Sequence, residues 1–177
     1  MNLDSAKRLA AGFIVVSGLV TPYLMSEEGF DPFAVRPVPN DPCTGGHGST
    51  YHADGTPVRC GEVFTPTYAR ELLEFTVKDV YEAGINKCVG DIPMFPHEKG
   101  ILVRLAYQIG AEKVCRFSII KKFRAGEYEA GCKTIPTIDL LHGRHCSLPE
   151  NRYRKDGCNG LMNRRYEQMN QCLGWKQ

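Results

Sequence analysis

The chain predicts an α+β fold that is mostly helical, with a small lobe of loops and short strands, then a helical lobe, and an apolar helix in front of both. Three observations carry this. Residues 27–64 are rich in Gly, Pro, Thr and Asp, the composition of turns between short strands. After Thr65 the apolar residues fall at helical spacing in several separate runs. Before residue 27, Leu9 to Met25 is a weakly hydrophobic stretch that runs without a linker into Glu27 and Glu28.

That first stretch is 17 residues long. As a helix it spans about 25 Å, against a bilayer core of about 30 Å. It follows Lys7 and Arg8, so the positive-inside bias leaves the amino terminus in the cytoplasm and sends the rest outside. Ala10, Ala11, Gly12, Ser17, Gly18, Thr21 and Pro22 supply little apolar surface, and the two glycines and the proline weaken a helix. A cleaved signal peptide needs small residues before the cut, and Thr21-Pro-Tyr-Leu-Met-Ser26 is a poor site. A permanent anchor is longer and greasier. A releasable anchor fits both the length and the small residues, which divides the chain into a segment 1–25 and a domain 26–177.

The remaining elements follow in order. Ala53-Asp-Gly55 marks a turn in the small lobe. Thr65 is a helix N-cap with Pro66 at the first helical position, and Ala69, Leu72, Leu73, Phe75, Thr76, Val80 and Ala83 continue the run to Gly84. Pro93 and Pro96 punctuate a connection. Ile101, Leu102, Leu105, Ala106 and Ile109 make a helix apolar on most faces, hence buried, that stops at Gly110. A shorter helix begins over Phe117–Phe123. Residues 132–156 are loop-rich, with turns at Gly143, Pro149 and Asp156-Gly157, and a last helix runs from about Leu161 to Leu173.

Composition narrows the function classes. Hydrophobic residues make up 42% and charged residues 24% of the 177, the mix of a globular domain, and about 150 residues beyond the first segment suffice for one core. The net charge of +2 does not argue for nucleic acid. Arg144, Arg152, Arg154, Lys155, Arg164 and Arg165 crowd the last third, either as a solvated face or as attraction to an anionic polymer or membrane surface. All eight cysteines (Cys43, Cys60, Cys88, Cys115, Cys132, Cys146, Cys158 and Cys172) lie on the exported side, which predicts up to four disulfides with the pairing open. None lies within Leu9–Met25, so no thiol in the anchor acts as a switch. His142-x-x-His145-Cys146 lacks a second ligand pair, so no metal is expected, and nothing suggests a cofactor or an obligate oligomer.

Glu28-Gly29 ends the apolar stretch, and a glutamate partly desolvated there suits a general acid. Thr44-Gly-Gly-His-Gly-Ser-Thr50 follows, then Asp54-Gly-Thr-Pro-Val58 and Gly61; no Gly-Lys-Ser/Thr accompanies these glycines, so a phosphate loop is disfavoured. This ordered set resembles the phage lysozyme family, glycoside hydrolase family 24: a Glu-Gly at the end of the first helix, a Thr-x-Gly-x-Gly hairpin at Thr44, Gly46 and Gly48, then Asp54-Gly55, Pro57-Val58 and Gly61. Ala69-Arg-Glu-Leu-Leu73, Leu105-Ala-Tyr-Gln-Ile-Gly110, Phe117-Ser118, Lys121-Lys122 and Gly160-Leu161 with Arg164-Arg165 extend the likeness over about residues 27–174.

The resemblance implies a muramidase cleaving peptidoglycan between N-acetylmuramic acid and N-acetylglucosamine. Glu28 would protonate the glycosidic oxygen, a second acid and Thr44 would activate water on the opposite face, and Gly46 and Gly48 would meet the sugar. The family's second acid lies nine positions after the Glu and six before the Thr. Here those counts give Pro37 and Val38, so Asp41 is the candidate, its alternative being the start of a turn with Pro42. Ser49 and Glu167 also depart from the pattern. The segment joined to the catalytic helix is similar to that of signal-anchor-release endolysins, which implies a monomer tethered in the host inner membrane, facing the periplasm, then freed by loss of potential or by a pore. The rival is a tethered, disulfide-rich domain that binds cell wall without cutting it. A transglycosylase making anhydro-muramoyl ends would share the fold.

Overall fold

The computed structural model describes residues 8–155 and 157–174; Lys7 and Asp156, which entered the orientation and turn expectations above, lie outside them. The first described element is a two-residue strand, β1 (Leu9–Ala10), antiparallel to β4 (Pro93–Met94). A 3-10 turn (Ala11–Phe13) and an extended link then lead into helix α1 (Ser17–Glu28). A single helix over Leu9–Met25 therefore does not form here. Ala11 N–H donates to the Ile92 carbonyl and Gly12 N–H to that of Gly90, each at 2.9 Å, so the rest of the fold takes up donors that a helix would have left unpaired at its start. From Ser17 the helix continues past the apolar stretch to Glu28. Pro22 lies inside α1 on its exposed side. Among the described residues, no helix is long and apolar enough to cross a membrane.

The small lobe is a hairpin of β2 (Asp31–Val35) and β3 (Thr44–Gly46), with Asp31 opposite Gly46 and Val35 opposite Thr44. Ala34, Val58, Phe64, Ala69 and Leu72 form its core. The predicted turn at 53–55 is present: Gly55 has φ +82, and the Asp54 carboxylate accepts from both the backbone and the hydroxyl of Thr56.

Thr65 caps α2 (Pro66–Phe75), its hydroxyl accepting from Tyr68 N–H at 3.2 Å. The helix does not end at Gly84. It passes through a π turn (Thr76–Glu82) into α3 (Ala83–Val89). A Cβ at Gly84 would stand 2.7 Å from Ala111 Cβ, so this glycine admits a neighbouring helix rather than terminating its own. Helix α4 (Pro96–Ile109) is buried at every position from Glu98 to Ala106, as its apolar pattern predicts, and Gly110 ends it with φ +89. Around it lie α5 (Ala111–Cys115), α6 (Ser118–Arg124), α7 (Tyr128–Cys132), a short hairpin of β5 (Leu140–Leu141) and β6 (Arg144–His145), and α8 (Cys158–Cys172). Helix α5 and most of α7 lie in stretches where the sequence marked no element, and this second hairpin lies within the loop-rich residues 132–156.

The core of the helical lobe includes Ala11, Ile14, Val16, Val20 and Leu24 from the first segment, packed with Leu102, Leu105, Val114 and Phe123. Four disulfides close: Cys43–Cys60, Cys88–Cys115, Cys132–Cys172 and Cys146–Cys158. Arg165, expected on a basic surface, is only 2% exposed. It donates to the Ile138 carbonyl and to Gln108 and Gln168, tying α8 to α4.

Candidate active site

The site is built where three elements converge. Helix α1 delivers Glu28 at its last turn, and Gly29 follows with φ +71, which turns the chain directly into β2. The hairpin returns through β3 to His47, which is 5% exposed and donates from Nδ1 to the Gly29 carbonyl. From α4, the Tyr107 hydroxyl donates to the His47 carbonyl at 2.7 Å. A chain of contacts thus runs from the central helix through the hairpin to the residue after Glu28. Burial pushes the Tyr107 hydroxyl above its ordinary value, and the negative charge of Glu28 pushes it further, so it remains a donor.

Glu28 itself is exposed to solvent, and substrate can reach it. Desolvation nonetheless raises its pKa above the ordinary carboxylate value. The Arg164 charge pulls it down, the adjacent Glu27 pushes it up, and His47 pulls it down again. The rise favours the protonated form that a general acid requires. Glu27 pairs with Arg104, a guanidinium only 2% exposed on α4 that also reaches Gln171, so the end of α1 is clamped one residue before Glu28.

The hairpin glycines have individual reasons. Gly45 N–H and carbonyl both bond Ser49, closing a tight turn. Gly46 is buried, has φ +64, and a Cβ there would stand 2.9 Å from Ala69 Cβ and 3.0 Å from the Phe64 ring. Gly48 is exposed with φ +82. Thr44 is half-buried at the start of β3, opposite Val35. Asp41 is exposed on the β2–β3 connection, its N–H donating to the Val38 carbonyl at 3.1 Å and its own carbonyl accepting from Arg36. The hydrogen-bonded group at the site therefore comprises Glu28's neighbour Gly29, His47 and Tyr107. Asp41 takes its contacts within its own loop. His47, Tyr107 and Arg104 were not singled out from sequence. A histidine set between two glycines, and an arginine inside an otherwise apolar helical run, are the signals that mark two of them.

Comparison with known proteins agrees with this fold. The model of the family described as phage lysozyme matches residues 25–168. No curated protein sequence matches the chain. Among solved structures, the endolysin from Escherichia coli O157:H7 phage FAHEc1 superposes with a TM-score of 0.71 at 22% identity, covering 91% of this chain and 94% of that one. The muramidase domain of SpmX from Asticaccaulis excentricus gives 0.70 at 20%, covering 90% and 97%. A P22 lysozyme mutant gives 0.70 at 19%, covering 91% and 99%. Since the family model spans most of the chain and an acid-bearing helix end meets a glycine hairpin, the protein belongs to the phage lysozyme family and is a glycoside hydrolase, a lytic muramidase.

Proposed function

We propose that the protein is an endolysin that hydrolyses the β-1,4 bond between N-acetylmuramic acid and N-acetylglucosamine, with Glu28 as the acid. The observation that carries this reading is the raised pKa of an exposed glutamate held at the end of α1 and tied through Gly29 to the hairpin. Protonated Glu28 gives its proton to the glycosidic oxygen. Asp41 and Thr44 activate and position water on the opposite sugar face, the inverting arrangement with carboxyls about 6.5–9.5 Å apart. Gly48, exposed at the hairpin turn, gives the sugar close approach to the backbone, and buried Gly46 supports it from beneath.

The same reading makes Leu9–Met25 a releasable anchor in the host inner membrane. While this stretch lies in the bilayer, α1 cannot pack on the domain, and the enzyme waits tethered and inactive on the periplasmic side. Release lets α1 dock and completes the cleft. The docked segment supports this by what it leaves outside: Leu9, Phe13, Val15 and Leu19 are 63%, 86%, 70% and 57% exposed, apolar side chains turned to solvent. Four closed disulfides fit an oxidising compartment.

The test is turbidity loss of outer-membrane-permeabilised Gram-negative cells. The parent lyses them and Glu28→Gln loses at least about a hundredfold in rate; equal lysis would overturn the assignment of the acid. For the anchor, Gly18→Leu is the informative change, because a Cβ there meets nothing within 4 Å, whereas one at Gly12 meets the Gly90 carbonyl oxygen at 3.2 Å. Purified Gly18→Leu protein should lyse permeabilised cells like the parent and yet stay in the membrane fraction of cells. Release as ready as the parent's would sink the tether.

A further inference from the structure

One buried charged pair lies away from the cleft and takes no part in the chemistry above. Glu82 and Lys99 are 3% and 0% exposed, and Lys99 Nζ stands 2.7 Å from Glu82 Oε1. Neither charge is satisfied by the pair alone. Glu82 Oε1 accepts from Val16 N–H at 2.9 Å, and Oε2 accepts from Ser17 N–H at 3.0 Å. Lys99 Nζ donates to the carbonyls of Ala11, at 2.9 Å, and Ile14. All four partners are main-chain atoms of the stretch that leads into α1.

Helix α1 has no cap of its own. Its N-cap residue is Val16, which has no side-chain acceptor, and no acidic residue stands in its first turn. Glu82 supplies both missing features from 65 residues away: acceptors for the first N–H groups and a negative charge at the positive end of the helix dipole. It can do so because the π turn Thr76–Glu82 places it at the end of one irregular stretch of helix, facing the start of another. One turn further out, Arg8 pairs with Glu98 at 2.8 Å, its guanidinium 4.2 and 3.9 Å from the Phe95 and Tyr128 ring centres.

We propose that Glu82 and Lys99 are positioning residues for the reaction: they form a main-chain receptor that seizes residues 11–17, caps α1, and so sets where Glu28 stands at the other end of that helix. The proposal rests on Glu28 being the acid. Twelve residues of α1 make a rod of about 18 Å. The Arg104–Glu27 pair grips one end and the receptor the other, so freeing the start lets the rod pivot and displaces the carboxyl. Because the receptor reads backbone atoms, the outward side chains of the stretch are free to be apolar without weakening its seat.

The experiment uses the full chain and two variants, Glu82→Gln and the double variant Glu82→Gln with Lys99→Met. The single change leaves the Lys99 charge buried without its counter-ion and tests folding as well as position; the double change removes both charges and so avoids that penalty. Amide hydrogen exchange and the kinetics of peptidoglycan hydrolysis are measured on each. The expected result is exchange at Val16, Ser17 and Val20 about tenfold faster with α4 and α8 unchanged. With it, kcat falls about tenfold while KM stays within about twofold, since misplacing an acid slows chemistry without loosening the sugar. Unchanged exchange in α1 overturns the receptor. Faster exchange in α1 with unchanged kcat overturns the positioning role, and so does an equal rise in α4 and α8. Intact lysis by Glu28→Gln, measured in parallel, would overturn the acid assignment while leaving the exchange result to judge the receptor by itself.

Discussion

Removing the Cys132–Cys172 bridge should cost more stability than removing Cys146–Cys158, by an amount the chain itself specifies. The first joins α7 to α8 across 40 residues, and the second closes 12 residues inside that span. With the inner bridge intact, the outer loop behaves as one of about 28 residues, and the loop-closure estimate gives about 3.6 kcal/mol for it against about 2.5 for the inner one removed with the outer bridge in place. All four sulfur-bearing residues are fully buried, at 0–1% exposed, so cavity effects are similar and the difference survives. Paired alanine replacements, melted reversibly and followed by circular dichroism, should therefore both melt well below the parent, with Cys132→Ala/Cys172→Ala lower by about 2–3 °C. A larger loss from the inner pair would refute the loop-entropy reasoning.

Two further outcomes concern the site and one the exposed face of α1. Because the Glu28 pKa is raised, the folded protein holds a proton there that the unfolded chain gives up. Parent stability is thus intact below the ordinary carboxylate range and declines as pH climbs through the raised value. Glu28→Gln should match the parent in Tm at about pH 3.5 and exceed it at pH 7; the opposite trend would contradict the desolvation. In the hairpin, Gly46→Ala should cost about 1–3 kcal/mol through its left-handed φ and its contact with Ala69 and Phe64, whereas Gly18→Ala, exposed in α1 with open space around it, should stabilise by about 0.5–1 kcal/mol in chemical denaturation.

The fold was legible wherever a local pattern had a local cause. Thr65-Pro66 started its helix, Gly110 stopped another, Asp54-Gly55 made its turn, and the run at 101–109, apolar on most faces, became the central buried helix. Gly84 misled because its reason is a neighbour, Ala111, that no spacing reveals. The first segment misled for a related cause: apolar spacing does not distinguish a helix from a strand-and-turn entry whose backbone partners, Ile92 and Gly90, lie about 80 residues on. At the site, Glu28 and the hairpin were visible as motifs. His47, Tyr107, Glu82 and Lys99 were not, because each acts through a main-chain atom distant in sequence, and a backbone acceptor leaves no trace in the residue that carries it.

All four bridges close within residues 43–172, and none reaches into the chain before Cys43. The molecule therefore has two kinds of joinery. From Cys43 onward it is stapled, and no staple takes a residue from the first helix. Among the described residues ahead of Cys43, the stretch from Arg8 is held by hydrogen bonds, ion pairs and burial, which form and part without a chemical step. Closing the bridges thus requires no atom of the first helix, and undocking that helix would break no covalent bond between it and the stapled part.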